Sequence, residues 1–487
     1  MKVLVANRSE IACRIFQTAK EMGFSTVAIF APGDEKSRHV FNADEAYSVR
    51  NYLDIESIVT AVNDSGADLV HPGYGFLSER SEFVSALAKT KATFVGPRAE
   101  TITQLGDKIQ AKALAEKSGV NTLPWSIIKD LSGISEVAKK VGYPLLIKAA
   151  AGGGGKGMRL VEKESDLKEL AEMASSEALS SFGDGILFLE KYVSSPRHIE
   201  VQVFGDGKGG GIHLFERECS LQRRNQKVWE ESPAPNLSNK TKKLLYQSSL
   251  NIVRSTKYLG AGTVEFLVDD QEQIYFLEVN TRLQVEHPVT EEVTGLDLVK
   301  IQLELSSGKI DSLDHINPTL RGAAIEVRLY SESPYQGYLP TSGKIDFLKW
   351  PLGKGIRIET GIELGVEVNT SYDPMLAKLI VFDFNRESAL RKMNFALSET
   401  VILGMGTNQA FLYDLTNHQN VIDGKLDTGF LQRDIEVLRG DSDLNESDLN
   451  ILVSLFQNTA ATIDSIHGSQ IKINPFIEVS SKLGDGL

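Results

Sequence analysis

The stretch Gly152-Gly153-Gly154-Gly155-Lys156-Gly157 constrains the fold more than any other part of the chain. Apolar runs flank it closely, Tyr143 to Ala150 before and Met158 to Val161 after, and both read as strands. By letter the run matches the Gly-x-Gly-x-x-Gly pattern of dinucleotide sites, but that pattern needs a helix after its glycines. A phosphate loop of the Walker kind needs Ser or Thr after the lysine, and here Gly157 follows Lys156. What remains is a strand, a flexible turn and a return strand. Glycines leave backbone N–H groups open to a phosphate, and Lys156 adds charge. A plain surface hairpin is the competing reading. Lys148, at the end of the strand Pro144 to Lys148, is well placed to meet a phosphate. Lys108 begins a helix, where free N–H groups suit an anion. Each lysine alone would be equally at home as a solvated side chain.

The charge balance makes such placement necessary. Among 487 residues there are 52 Lys+Arg and 65 Asp+Glu, a net charge of −13. No general basic field exists for nucleic acid, so a bound anion must be held by local donors. A hydrophobic share of 41% with 24% charged residues describes a globular chain, not a disordered one. The only cysteines are Cys13 and Cys219, too few for a disulfide framework or a Cys-rich zinc site. Cys219 reads as packing, since no partnered His is indicated. Met1 to Ala6 reads as a strand rather than a signal peptide, and no apolar run approaches the ~20 residues of a membrane span. The expectation is a cytoplasmic protein binding neither membrane nor nucleic acid.

The first hundred residues alternate strand and helix: strands at Lys2 to Ala6, Ser25 to Phe30, Asp68 to His71 and from Thr93, with helices to about Met22 and over Ile55 to Ser65. Asn7 or Ser9 is the expected cap of the first helix. Repeated βα units predict a parallel, doubly wound sheet. After about Arg197 strands dominate, at Ile199 to Phe204, Gly211 to Phe215, Thr263 to Val268, Gln273 to Asn280, Gly322 to Leu329 and Met375 to Phe382. The polar run Glu216 to Lys227, rich in donors, reads as a fixed loop. In the tail after Asp434, Ser447 can cap a helix ending at Gly468, followed by a strand over Ser469 to Val479. No repeat is evident.

Thr263 to Val268 and Ile274 to Asn280 frame a polar turn, which is a hairpin signature. Glu265 and Glu278 interrupt otherwise apolar strands near its open end. Carboxylates among Val, Phe and Leu cost several kcal/mol unless a cation or donor meets them. Glu278 and Asn280 share a strand face, and two carboxylates with an amide oxygen suit Mg²⁺. A buried salt bridge to an arginine is the alternative. If the chain stays extended, Asn280, Arg282, Gln284 and Glu286 point one way. They would form an anion pocket with a base beside it.

Taken in order, these motifs resemble the biotin carboxylase family of the ATP-grasp superfamily. The matching stretches are Ala6-Asn7-Arg8, His71 to Glu79, Gly106-Asp107-Lys108, Ile147-Lys148-Ala149, the glycine run, Arg197 to Gln202, Gln222-Arg223-Arg224, Glu278 to Glu291 and Tyr372 to Met375. The resemblance spans about residues 1 to 434. It implies an N-terminal Rossmann-like domain over 1–107, an ATP-grasp domain over 108–320 with a lid at about 123–193, a mixed β-rich domain over 321–434, and a tail over 435–487 of unstated role.

The resemblance also implies a reaction. ATP and bicarbonate give carboxyphosphate, which carboxylates biotin on a carrier. Lys108, Lys148, His198, Gln222 and Asn225 would contact the nucleotide, Gly154, Gly155 and Lys156 would close over its phosphates, and Glu190, Lys191, Tyr192 and Val193 would read adenine. Glu265, Glu278 and Asn280 would hold Mg²⁺ or Mn²⁺. Lys227, Arg282, Gln284 and Val285 would bind bicarbonate, Glu286 would deprotonate it, Arg328 would stabilise the biotin enolate, and Tyr74 would belong to the same bicarbonate and biotin site. The chain departs from the family pattern at Ser9, where Gly is usual, and at Asn225, where His is usual; Asn cannot carry charge. Asn225 is also like urea carboxylases, whereas Glu326 to Tyr330, Gly406-Thr407-Asn408 and Asp427 to Phe430 look more like acyl-CoA carboxylase α subunits. No Met-Lys-Met biotinylation motif is present. The implied partners are a biotin carboxyl carrier, a carboxyltransferase subunit and a second copy of the chain. Urea or pyruvate carboxylase, and a silent ATP-grasp scaffold, remain open as alternatives.

Overall fold

The computed structural model describes residues 1–128, 130–150, 158–183, 185–224, 226–369 and 372–439. The glycine run with Gly154, Gly155 and Lys156, the Asn225 position and the tail reading beyond 439 lie outside the described residues.

Near the N-terminus, β1 (Lys2–Val5), β2 (Ser25–Phe30), β3 (Glu45–Ser48), β4 (Leu69–His71) and β5 (Thr93–Phe94) form a sheet of order β3-β2-β1-β4-β5. Every pairing is parallel, as the βα alternation predicts. The expected cap of the first helix is not found. Ser9–Glu21 starts without a side-chain cap. Asn7 is committed elsewhere: its amide donates to the carbonyls of Pro72 and Tyr74, both at 2.7 Å. A residue predicted to serve its own helix instead fixes the loop that carries Tyr74.

The next unit is a small antiparallel sheet, β6 (Trp125–Ile128), β7 (Leu145–Ala149), β8 (Arg159–Val161) and β9 (Leu187–Lys191), of order β6-β9-β7-β8. Its own core is formed by Leu145, Ile147, Leu187 and Leu189 against Ile134, Leu167 and Ala171 of two helices. The strands flanking the glycine run do pair with each other, Leu145 opposite Val161.

The central element is an eight-stranded sheet. It contains β10 (Arg197–Asp206), β11 (Gly211–Arg223), β12 (Gln226–Ser232), β13 (Leu259–Val268), β14 (Ile274–Asn280) and β15 (Ala323–Tyr330), then Met375–Asp383 and Ile356–Thr360, in the order β14-β13-β10-β11-β12-β15 and those two. The polar run predicted as a loop is therefore strand: β11 continues to Arg223, and β12 starts at Gln226. Charge density suggests solvent, but Glu216, Arg217 and Glu218 are all fully buried. Arg217 and Glu218 are neutralised by Glu200 and Arg197 on β10, and Glu216 by Lys242 of the helix Asn239–Thr256, pairings that a linear reading does not reveal. Beyond Asn280 the strand reading also stops short. The chain leaves the sheet, and the helix His287–Thr294 begins one residue after Glu286.

One core joins the N-terminal sheet to the central one, with Val3, Ile11 and Ile15 packed among Phe204, Leu283 and Val299. Ser9 lies at this junction with φ of 59°, in the left-handed region that favours glycine. Its hydroxyl sits where a Cβ on Gly361 would fall, so the two positions share one small space. Ser9→Gly should remove the backbone strain and stabilise the protein by about 1 kcal/mol, read as a higher midpoint in thermal or urea denaturation.

Candidate active site

The site is built where β10 to β14 turn one face toward the segment Thr281 to Glu286. Its deepest member is Arg217 on β11, fully buried. A guanidinium has five N–H donors, and here each has an acceptor. Nε donates to Glu200 at 2.5 Å, Nη1 to Gln202 at 2.8 Å and Thr290 at 2.9 Å, and Nη2 to Thr263 at 3.2 Å and Gln284 at 2.8 Å. Gln284, anchored in this way, turns its own amide to Glu265 at 2.8 Å.

Lys227 on β12 stands above this layer. Its ammonium donates to Glu200 at 2.5 Å, Glu265 at 2.9 Å and Glu286 at 2.6 Å. Burial alone would lower its pKa, but three carboxylates raise it well above the usual lysine value. Glu286 responds in the opposite sense. Burial would raise its pKa, and Lys227 and Arg328 hold it below the ordinary carboxylate range. Arg328, on β15, donates to Glu286 at 3.0 Å and to Glu230 at 2.7 Å. Glu230 is pushed up to about 7, by burial first and by the nearby Glu286 charge.

Around this centre the predicted residues separate into groups. Arg282 donates to Glu79 at 2.9 Å and to Asn280 at 3.0 Å. The carbonyl of Val285 accepts from Lys378 at 2.9 Å. Tyr74 bonds through its hydroxyl to Glu10. His198 lies 2.9 Å from Glu265, whose charge outweighs burial and raises the imidazole pKa; its other nitrogen is 2.7 Å from Gln222. Lys148 is ion-paired with Glu190, away from the Lys227 cluster. Lys191 bonds to the carbonyl of Tyr143 at 2.6 Å, and the Tyr192 N–H to that of Pro144 at 3.1 Å. Lys108 opens a helix capped by Asp107, whose carboxylate accepts from Gln110 at 2.8 Å.

The metal residues fit a hard divalent cation. Glu265 and Glu278 are register partners on β13 and β14. Among the described residues Glu278 has no ion-pair partner, and its pKa is raised by burial and then by the Glu265 charge. Glu265 already meets Lys227 and His198, while the facing Glu278 lacks a cation; with Asn280 bonded to Glu265 at 2.9 Å, the three form an oxygen-donor set suited to Mg²⁺.

The sequence reading did not assign Arg217, Glu200 or Glu230 to the site. Glu200 is opposite Arg217 in the β10–β11 register. That cross-strand pairing is the signal that exposes both, and it required β11 to be recognised as a strand beyond Phe215.

Comparison with known proteins matches the same ground. The N-terminal domain of biotin carboxylase matches residues 1–102, the ATP-binding domain of the carbamoyl-phosphate synthase L chain matches 107–315, and the biotin carboxylase C-terminal domain matches 326–433. The propionyl-CoA carboxylase alpha chain of Ruegeria pomeroyi is 42% identical over 476 residues, covering 92% of this chain and 70% of that protein. The chain belongs to the biotin carboxylase family. The methylcrotonoyl-CoA carboxylase subunit alpha of Dictyostelium discoideum, a mitochondrial protein, is 44% identical over 439 residues, or 88% of this chain. This biotin carboxylase chain spans 63% of that relative's length. The biotin carboxylase domain dimer of Hydrogenobacter thermophilus 2-oxoglutarate carboxylase, solved with MgADP, ADP and bicarbonate, superposes with a TM-score of 0.86. It is 41% identical, and the match covers 90% of this chain and 98% of that one. No helix among the described residues is long and apolar enough to cross a membrane.

Arg217→Met should cost about 3–5 kcal/mol, because Glu200 would be left with only Lys227, shared with Glu265 and Glu286, and Gln284 would be released. Equilibrium denaturation would show this loss; a change under 1 kcal/mol would mean that the guanidinium is not what satisfies these acceptors.

Proposed function

We propose that this chain is the biotin carboxylase component of an acyl-CoA carboxylase. The observation that carries the reading is Glu286 placed between Lys227 and Arg328 beside Gln284, a buried carboxylate kept ionised within a cation-lined site. Bicarbonate would enter among Lys227, Arg282, Gln284 and Val285. As the anion takes up those cations, Glu286 loses part of its neutralisation and becomes the stronger base. Its carboxylate then accepts the bicarbonate proton, and the freed oxygen attacks the γ-phosphate, releasing ADP. Carboxyphosphate passes its carboxyl group to N1′ of biotin, breaking its bond to phosphate, and inorganic phosphate leaves with the N1′ proton while Arg328 stabilises the enolate form. A divalent ion held by Glu265, Glu278 and Asn280, Mg²⁺ or Mn²⁺, would supply charge neutralisation at the nucleotide phosphates.

Lys108, Lys148, His198 and Gln222, with Asn225, Gly154, Gly155 and Lys156, would hold the nucleotide, and Glu190 to Val193 would read adenine. The division at 1–107, 108–320 and 321–434, with a tail from 435, belongs to the same reading. So do the partners: a biotin carboxyl carrier, a carboxyltransferase subunit and a second copy of the chain. Two unpaired cysteines suit a reducing compartment such as the cytoplasm.

Bicarbonate-dependent ATP hydrolysis should rise when free biotin is added. A folded, Mg²⁺-supplied protein showing no such rise would point to the silent scaffold instead. Glu286→Gln should retain ATP binding and lose turnover by about 100-fold or more, and unchanged turnover would remove Glu286 as the base.

A further inference from the structure

Away from Glu286, a second buried charge cluster joins the small β6–β9 sheet to the helix Lys108–Lys117. Glu190 on β9 is 1% exposed. One of its carboxylate oxygens meets the ammonium of Lys148 on β7, and the other meets the ammonium of Lys112. Lys112 comes from the helix and is 2% exposed; the other buried residues of that helix are Ala111 and Ala115. A lysine on that face is costly unless it has a defined partner. One cation would already neutralise Glu190. Two cations on one carboxylate leave an excess of +1, within a chain whose net charge is −13.

That excess is directional. Lys108 lies one helical turn before Lys112 and therefore on the same face. Lys108 and Lys148 are among the lysines that the proposed function assigns to the nucleotide. In the geometry described here, Lys148 is spent on Glu190. For it to turn to a phosphate, Glu190 must not be left buried and unpaired, because a lone buried carboxylate strongly opposes that step.

We infer that Lys112 is a positioning residue: it stays as the counter-ion of Glu190 and so frees Lys148 to engage the phosphates of the bound nucleotide. The inference rests on the nucleotide site proposed above. Lys112 touches no substrate; it acts through Glu190 on Lys148. Because the effect runs through a phosphate contact, it should separate ligands that carry phosphates from those that do not.

The test uses the full chain and two probes, ADP and adenosine, with equilibrium binding measured by calorimetry or displacement. Lys112→Met should weaken ADP by about 10-fold or more while changing adenosine less than about 2-fold. Lys112→Arg should bind ADP as the parent does. Equal loss of ADP and adenosine would overturn the inference in favour of a simple prop between helix and sheet, and undiminished ADP binding would overturn it outright. If Lys112→Met does not fold, Lys112→Gln carries the same comparison. Parent protein that binds no ADP overturns the nucleotide site itself, and with it this role for Lys112.

Discussion

Charge buried in a β-sheet must be neutralised on the spot, and the guanidinium of Arg217 is where this protein does so most completely. Its five N–H groups meet Glu200, Gln202, Thr263, Thr290 and Gln284. Those acceptors come from β10, β13, the segment after β14 and the helix that follows it. One side chain thus sets the relative positions of four pieces of chain, and in a low-dielectric interior none of them can turn away without leaving a polar group unpaired. Lys227 repeats the principle one layer up with three carboxylates. The ionised state of Glu286 follows from this arrangement.

Much of this was legible in the sequence, and the part that was not has a physical cause. The parallel N-terminal sheet follows from its βα rhythm. The hairpin of β13 and β14 follows from apolar alternation around a polar turn, and Glu265 and Glu278 stand out because carboxylates are out of place in such strands. Glu216 to Lys227 reads as a loop because a dense charge run resembles a solvated surface, yet it is strand up to Arg223 and again from Gln226. Only the cross-strand register shows that Arg217 faces Glu200. Arg282, Gln284 and Glu286 were assigned to one site by assuming an extended chain. They do converge, but on a segment that has left the sheet, so their common direction comes from Glu79, Arg217 and Lys227 rather than from strand alternation.

Asn7 shows the limit of local reading from another side. The same amide that could cap a helix is worth more where it satisfies two carbonyls of the His71 to Glu79 loop, a choice made by the fold and not by its neighbours in sequence. The Lys112–Glu190–Lys148 cluster is similar. None of its members looks unusual alone, and the excess of cations appears only when helix and sheet are brought together.

The central sheet also crosses the place where the chain would otherwise be divided. β12 belongs to the stretch matched by the ATP-binding domain, and most of β15 to the stretch matched by the C-terminal domain, yet they are hydrogen-bonded neighbours, from Trp229 opposite Val327 to Ser232 opposite Ala324. Glu230 and Arg328, on either side of that seam, are ion-paired. A break in the backbone between Ser307 and Gly322 would therefore sever the polypeptide without separating its halves. Conversely, a gene cut at that boundary would yield two products, each with a bare sheet edge and half of a charge pair. The site therefore belongs to both stretches at once, and the linear boundary is a convenience of the chain.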